Sequence, residues 1–353
     1  MSRPRCRDTA KPRIQTMEAL AAAIGVSRPT LSRYFQDPAK VSAGSIRRIE
    51  QGLSTVEYVP NFFATRMNRK STGIIGVIIP YLNDLFFTNL LKAVEMAAME
   101  AGFTVITQCS HTDPLIEARA VETFLSMSVD GALVAPLGDQ SDAEAHARLD
   151  ARLPCILMDS RPHALSNMDY VGTDHSKSTR MIVDYLCRVG APPVFLAMPR
   201  LNFNAFERER AYVARMEELG HAPRIIGADA VATGDPYESH GFAVLDSMFS
   251  RGIHTESSIL CANDRVAIGA LAAAARHGLD PGRSRKGGLR IAGHDDYPLC
   301  TFTTPPLTTV AQDVEAIGRH SVRLLHEKIH SRAQRSERAL LLFDGVLKLR
   351  ESA

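Results

Sequence analysis

The sequence predicts two architectures in one chain: an N-terminal all-α headpiece, then an α/β body of two doubly wound lobes. Three observations predict them. Residues 16–61 hold three short apolar-periodic stretches, each bounded by a capping or turn residue. From Gly73 onward, short continuous apolar runs alternate with amphipathic stretches, the pattern of parallel strands covered on both faces. The chain, at 353 residues, exceeds what one core serves, and its charge is unevenly spread: +8 over residues 1–72 and −6 over the rest. A basic head on an acidic body is the footprint of a protein that sets one end on phosphate.

In the headpiece, Thr16 is the expected N-cap of a first helix, with Glu18 in its first turn, where a carboxylate meets the positive end of the helix dipole. Met17, Leu20, Ala21 and Ile24 recur at helical spacing, and Gly25 supplies the stop. Ser27 caps a second helix that tolerates Pro29 in its first turn. A third, over residues 43–53, contributes Ile46, Ile49 and Leu53 to a small core. Two helices joined by so tight a turn form a helix-turn-helix, whose second helix enters the DNA major groove by its N-terminal end. Arg28, Pro29, Thr30, Ser32 and Arg33 are the contact candidates. Arg28 suits guanine O6 and N7, whereas Pro29 offers only apolar contact. Either arginine can instead serve a phosphate, without reading sequence. Tyr34 and Phe35 read as core. Residues 1–13 form a basic tail, either without fixed structure or an arm adding phosphate contacts.

In the body, strands are expected at residues 73–80, 103–109, 131–136, 155–159, 193–198, 258–262 and 289–293. Helices are expected at residues 88–101, 116–127, 176–189, 206–219 and 264–277. Open α/β sheets bind ligands beyond the carboxyl ends of their strands. Asp159, Asn263 and Asp295 stand at such ends, and Arg208 begins the helix after another. Forks of donors and acceptors of this kind suit a polyhydroxylated ligand. Each has a plainer use: Asp159 as a loop cap, Asn263 as a helix cap, Arg208 in a surface network with Glu207, Glu209 and Arg210.

Residues 21–42, AAAIGVSRPTLSRYFQDPAKVS, resemble the headpiece of the lactose/galactose-repressor (LacI/GalR) family, whose usual form is close to VAxxAGVSxxTVSRVLN. Residues 58–80, YVPNFFATRMNRKSTGIIGVIIP, resemble that family's YxPNxxARxL hinge and first effector-domain strand. The resemblance runs from about Thr16 nearly to the C-terminus. It implies a headpiece over residues 1–60, a hinge over 61–71, and a periplasmic-binding-protein-like effector and dimerisation domain over 72–353. Lobe 1 would take residues 73–172 and 304–331, and lobe 2 residues 173–303 and 332–353, with crossings near Gly172, Thr303 and Arg332. The implied DNA contacts are Thr16, Ser27, Arg28, Pro29, Thr30, Ser32 and Arg33, with Asn61, Ala64 and Met67 in the hinge. Met67 replaces the leucine that wedges into the minor groove, flanked by Arg66, Arg69 and Lys70. The implied effector set is Phe86, Phe87, Asp159, Arg208, Asn263, Asp295 and Gln312. The position two beyond Gln312, often aromatic in the family, is Val314, which weakens ring stacking. His294 replaces an aromatic residue. With an ordinary pKa of about 6.5 it favours an acidic sugar or phosphate if charged, and is otherwise a neutral packed histidine. Arg161 and Arg200 are further basic groups of interest.

These readings predict a sequence-specific transcriptional regulator, a repressor acting as a homodimer on a palindromic double-stranded operator, controlled by a sugar or sugar acid. The alternative is a periplasmic-type solute-binding protein, which explains two lobes but not the helix-turn-helix. No GxSxG, P-loop, HExxH or dinucleotide fingerprint occurs, so no enzyme, cofactor or metal is expected. No apolar run reaches membrane-span length, and the basic N-terminus lacks a following apolar segment, so a cytoplasmic protein is expected. The six cysteines lie far apart, which predicts reduced thiols.

Overall fold

The computed structural model describes residues 11–60, 71–199, 203–228, 237–254, 257–282, 288–331 and 338–353. It divides into two compact units, Met1–Thr72 and Gly73–Ala353.

The first unit runs β1 (Arg13–Ile14), α1 (Met17–Ile24), α2 (Arg28–Gln36), α3 (Ala43–Thr55) and β2 (Glu57–Tyr58), with β1 and β2 paired in parallel. The caps act as expected: Thr16 Oγ1 accepts from Ala19 N at 3.1 Å, and Ser27 Oγ accepts from Thr30 N at 3.3 Å. Gly25 turns the chain at φ 69°, a left-handed conformation that a β-carbon disfavours. Leu20, Leu31 and Ile49, one from each helix, are wholly buried, and Met17, Ile24, Tyr34, Phe35 and Leu53 pack around them. The Phe35 ring centroid lies 5.4 Å from that of Tyr34 and 5.9 Å from that of Tyr58, so both candidates for core packing serve as core.

The second unit continues β3 (Ile74–Ile79), α4 (Leu85–Glu100), β4 (Thr104–Cys109), α5 (Pro114–Met127), β5 (Gly131–Val134), α6 (Ala143–Arg152), β6 (Cys155–Met158) and β7 (Asp169–Thr173). It proceeds through α7 (His175–Val189), β8 (Val194–Leu196), α8 (Phe203–Glu218), β9 (Ile225–Ile226), α9 (Tyr237–Phe249), β10 (Ser258–Cys261), α10 (Asp264–Arg276) and β11 (Arg290–Ala292). It ends with β12 (Thr309–Ala311), α11 (Val314–His330), β13 (Leu340–Phe343) and β14 (Val346–Lys348). Lobe 1 is a parallel sheet in the order β13-β7-β6-β5-β3-β4, and lobe 2 a parallel sheet in the order β11-β10-β8-β9. Strands β3, β5, β6, β8 and β10 are buried along their length, which is why they read as unbroken apolar runs.

Two expected lobe boundaries are corrected. The crossing placed near Thr303 comes later, because Leu307 and Val310 are buried in the lobe 2 core and the chain rejoins lobe 1 only at α11, whose Ile317 and Leu325 pack there. The crossing placed near Arg332 comes near Asp344: Leu340–Phe343 pairs in parallel with β7 in the lobe 1 sheet, and only β14, antiparallel to β12, returns to lobe 2. A short edge strand between two crossings has too little periodicity to show which sheet it joins. Among the described residues no helix is long and apolar enough to cross a membrane, and Cys109, Cys187, Cys261 and Cys300 are free thiols.

Candidate functional site

In the first unit, α2 presents Arg28, Pro29 and Arg33 to solvent, with Thr30 and Ser32 half-buried beside them. Ser27 and Thr30 share a hydroxyl contact of 2.8 Å, and Gln36 Nε2 donates to Ser32 Oγ at 3.3 Å. Exposed donors at the start of a helix fixed by a three-helix core are the arrangement that reads a major groove. Arg28 also pairs through Nε with Glu18 Oε1 at 2.5 Å. The hinge candidates Asn61, Ala64 and Met67, together with Arg66, Arg69 and Lys70, lie outside the described residues.

In the second unit, Phe86, Phe87, Asp159, Arg208, Asn263, Asp295 and Gln312 all line one cleft, enclosing about 670 Å³ with its open mouth included. They arrive from both lobes. Asp159 follows β6 and Phe86 and Phe87 begin α4, whereas Arg208 lies on α8, Asn263 precedes α10, and Asp295 follows β11. Gln312 stands where the chain passes from β12 to α11.

Arg208 organises the floor. Its Nη2 donates to Asp295 Oδ1 at 2.7 Å, its Nη1 to the Ala262 carbonyl at 2.9 Å, and its Nε to His175 Nδ1 at 3.3 Å. With Arg208 buried, this is a fixed fork, not the surface network its neighbours suggested. Gln312 Nε2 donates to the same Asp295 oxygen at 2.7 Å, and its Oε1 accepts from Thr173 Oγ1 at 2.5 Å. Burial alone raises the Asp295 carboxyl, but the Arg208 charge and the His294 hydrogen bond outweigh it and hold the group below the usual carboxylate range. Asn263 does cap α10, accepting from Val266 N at 2.9 Å, while its side chain also lines the cleft.

His294 is the neutral, packed histidine. Burial, then the Arg208 charge, lower its pKa to about 4, with Nδ1 held 3.1 Å from Asp295 Oδ1. Of the two readings the sequence left open, the charged histidine favouring an anionic ligand is therefore the one set aside. Burial and Arg208 likewise push His175 well down. Asp159 goes the other way: burial raises it to about 7 against the opposing Arg208 charge, while Oδ1 accepts from Asn204 Nδ2 at 2.9 Å. Asp159 and Asp295 both take positive φ, 63° and 123°, so backbone strain is stored at two of the cleft carboxylates. Arg161 stacks over Tyr170, 5.5 Å from its centroid, and does not line the cleft; Arg200 lies outside the described residues. Val314 packs against the lobe 1 core.

Sequence reasoning missed Tyr81, Asp84, Asn204, Tyr237, Arg265 and Tyr297 in the lining. Asp84 caps α4, accepting from Phe86 N at 2.9 Å. Its other oxygen accepts from Arg265 Nη1 at 2.9 Å, joining the lobes across the cleft. The Arg265 fork is gripped from behind by Glu238, at 2.8 and 2.9 Å. Its signal was available: it opens the helix after a strand end, as Asn263 does.

A helix-turn-helix family model matches residues 14–57, and a periplasmic binding protein-like domain model matches residues 183–353. The HTH-type transcriptional repressor CytR of Escherichia coli (strain K12) is 27% identical over 316 residues, 89% of each chain. The HTH-type transcriptional regulator MalR of Streptomyces coelicolor is 26% identical over 316 residues, 88% of this chain and 89% of that one. Among solved structures, the lac repressor dimer bound to operator and the anti-inducer ONPF superposes with a TM-score of 0.81 at 25% identity, covering 97% of this chain and 99% of that one. Headpiece, two-lobed domain and relatives together define a DNA-binding transcriptional regulator rather than an enzyme. The helix-turn-helix also disposes of the solute-binding alternative. In the order of its matched domains, in its relatives and in its fold, the chain is similar to regulators of the LacI/GalR family.

Proposed function

We propose that this regulator is a cytoplasmic repressor that binds a palindromic double-stranded operator as a homodimer and is controlled by a neutral polyhydroxylated effector in the inter-lobe cleft. The carrying observation is that seven residues from six segments of both lobes line one cleft around the Arg208–Asp295 fork. Its cations, Arg208 and Arg265, are already engaged, by Asp295 and by Asp84 with Glu238, so an acidic ligand meets no unengaged cation among the described lining residues. A neutral ring with several hydroxyls meets donors and acceptors on the floor, and apolar faces from Phe86, Phe87, Tyr81, Tyr237 and Tyr297. On this reading Thr16, Ser27, Arg28, Pro29, Thr30, Ser32 and Arg33 face DNA, with Asn61 and Ala64 in the hinge and Met67 as its minor-groove wedge. Two-fold pairing follows from placing two recognition helices one helical turn apart.

The test begins with selection of binding sites from a random duplex pool at fixed salt, with Met67→Gly alongside. A palindrome of about 14–20 base pairs, weakened in the variant, is expected. Thermal shift of the full chain against neutral sugars, sugar acids and nucleosides, repeated in Arg208→Lys, then assigns the effector class. Salt-sensitive binding without any motif, and no ligand whose shift depends on Arg208, would overturn the reading.

A further inference from the structure

Glu18 is the one acidic side chain in the first turn of α1, and it reaches across the helix-turn-helix to Arg28, the first residue of α2. The contact uses Arg28 Nε, at 2.5 Å from Glu18 Oε1. Among the described residues this contact is an ion pair without hydrogen-bond geometry, and Arg28 has no other ion pair and no hydrogen bond, so its two terminal nitrogens remain available. Those two nitrogens are the pair that bonds a guanine edge. The next residue, Pro29, has no side-chain donor, so polar reading at the start of α2 falls to this one guanidinium. Both partners are about two-thirds exposed, at 66% and 61%. A pair so exposed adds little to stability. Its consequence lies instead in where the guanidinium sits and in how much charge it offers to phosphate.

We propose that Glu18 is a positioning residue for base recognition: it fixes the Arg28 fork towards a guanine edge and withholds that arginine from the phosphate backbone. An acid on a DNA-facing surface lowers affinity for every sequence. Here it lowers affinity for random sequence more than for the operator, because an oriented fork forms two bonds to one base whereas a free arginine settles on any phosphate. Specificity rises while total affinity falls. The inference rests on the proposed role of Arg28 as a base reader, and the test separates the two.

Full-length wild type, Glu18→Gln, Glu18→Asp and Arg28→Ala are titrated by fluorescence anisotropy against the duplex recovered by selection, against that duplex with the guanine changed, and against a random-sequence duplex, over a range of salt. Glu18→Gln should bind random duplex more tightly and discriminate at the changed guanine about tenfold less. Its salt dependence should steepen by roughly one released counterion per headpiece. Glu18→Asp, which keeps the charge on a shorter arm, should fall between. If Glu18 matters only as a helix-dipole partner, Glu18→Gln lowers binding to all three duplexes together, and the inference is overturned. An unchanged discrimination ratio in Glu18→Gln overturns it as well. If Arg28→Ala leaves discrimination intact at every position, the base-reader role itself fails, a different outcome from failure of Glu18 alone.

Discussion

Replacing Arg208 with Ala tests the cleft floor most severely. The side chain is buried and supplies three hydrogen bonds, to Asp295, to the Ala262 carbonyl and to His175. Its loss leaves the Asp295 carboxylate with only neutral partners, His294 and Gln312. Breaking a buried pair in this way costs about 3–5 kcal/mol. At about 2–4 °C per kcal/mol, the second unit should melt roughly 10 °C lower. The deficit also carries a pH signature. In the wild type, the depressed Asp295 pKa contributes stability that is full above the ordinary carboxylate value and lost only below it. Without Arg208, burial is opposed by no cation and the carboxyl rises. The variant then gains a proton as pH falls from about 8 to 5, and its deficit narrows. Urea unfolding followed by far-ultraviolet circular dichroism at both pH values reads the effect. Arg208→Lys, which keeps a point charge but not the fork, should show a smaller deficit with little pH dependence. A deficit below about 1 kcal/mol, or one that widens towards low pH, would refute the reasoning.

Three further outcomes are expected. Ser27→Ala removes the cap on α2 and should destabilise the headpiece by about 1 kcal/mol, weakening DNA binding while leaving the melting of the second unit unchanged. Gly269→Ala should cost at least 1–3 kcal/mol by denaturant titration, roughly the cost of overpacking, because a β-carbon there would lie 2.0 Å from the Glu238 carbonyl oxygen, where α9 and α10 touch backbone to backbone. Asp159→Asn should remove a pH slope: with the folded pKa raised to about 7, wild-type stability falls as pH rises from the ordinary carboxylate value towards about 7 and is level beyond. Unfolding titrations at low and high pH should therefore find the variant gaining on wild type as pH rises.

What the sequence disclosed follows from how local each cause is. Thr16, Gly25 and Ser27 announce helix ends because capping involves neighbours three residues away, and those ends are where they were expected. Buried strands such as β3 and β10 announce themselves by composition. The seven effector candidates were legible partly as polar groups at strand ends and partly through resemblance, and all seven share the cleft. What stayed hidden depends on partners distant in sequence. Asp84 gave no sign of its bond to Arg265, and His294 could not disclose the burial that keeps it neutral. Leu340–Phe343 is apolar for two incompatible reasons, core and edge, and only its pairing with β7 decides between them.

The forces that hold the lobes together differ in kind from those within each lobe. Inside, each lobe buries a continuous apolar cluster, from Ile75 to Leu325 in one and from Ile182 to Val310 in the other. Such cores do not deform by degrees, so each lobe moves as a body. Across the cleft, one set of contacts joins the loop after β3 to lobe 2: Asp84 to Arg265 at 2.9 Å, and Leu85 N donating to Tyr297 Oη at 3.4 Å. A second joins the end of β6 to α8: Asn204 to Asp159 at 2.9 Å, with the His163 ring 4.6 Å from that of Phe203. Each such bond is worth about 0.5–1.5 kcal/mol, so the two sets together amount to a few kcal/mol. That is the scale of a typical allosteric coupling, about 1–3 kcal/mol. A ligand that adds two hydrogen bonds across the gap, or competes with one of these, therefore has enough differential energy to choose between lobe arrangements, whereas it has far too little to disturb either core. On the proposed reading, regulation is consequently open to change at residues such as Asp84, Asn204 and Arg265, where substitution should retune the response to effector without altering what folds.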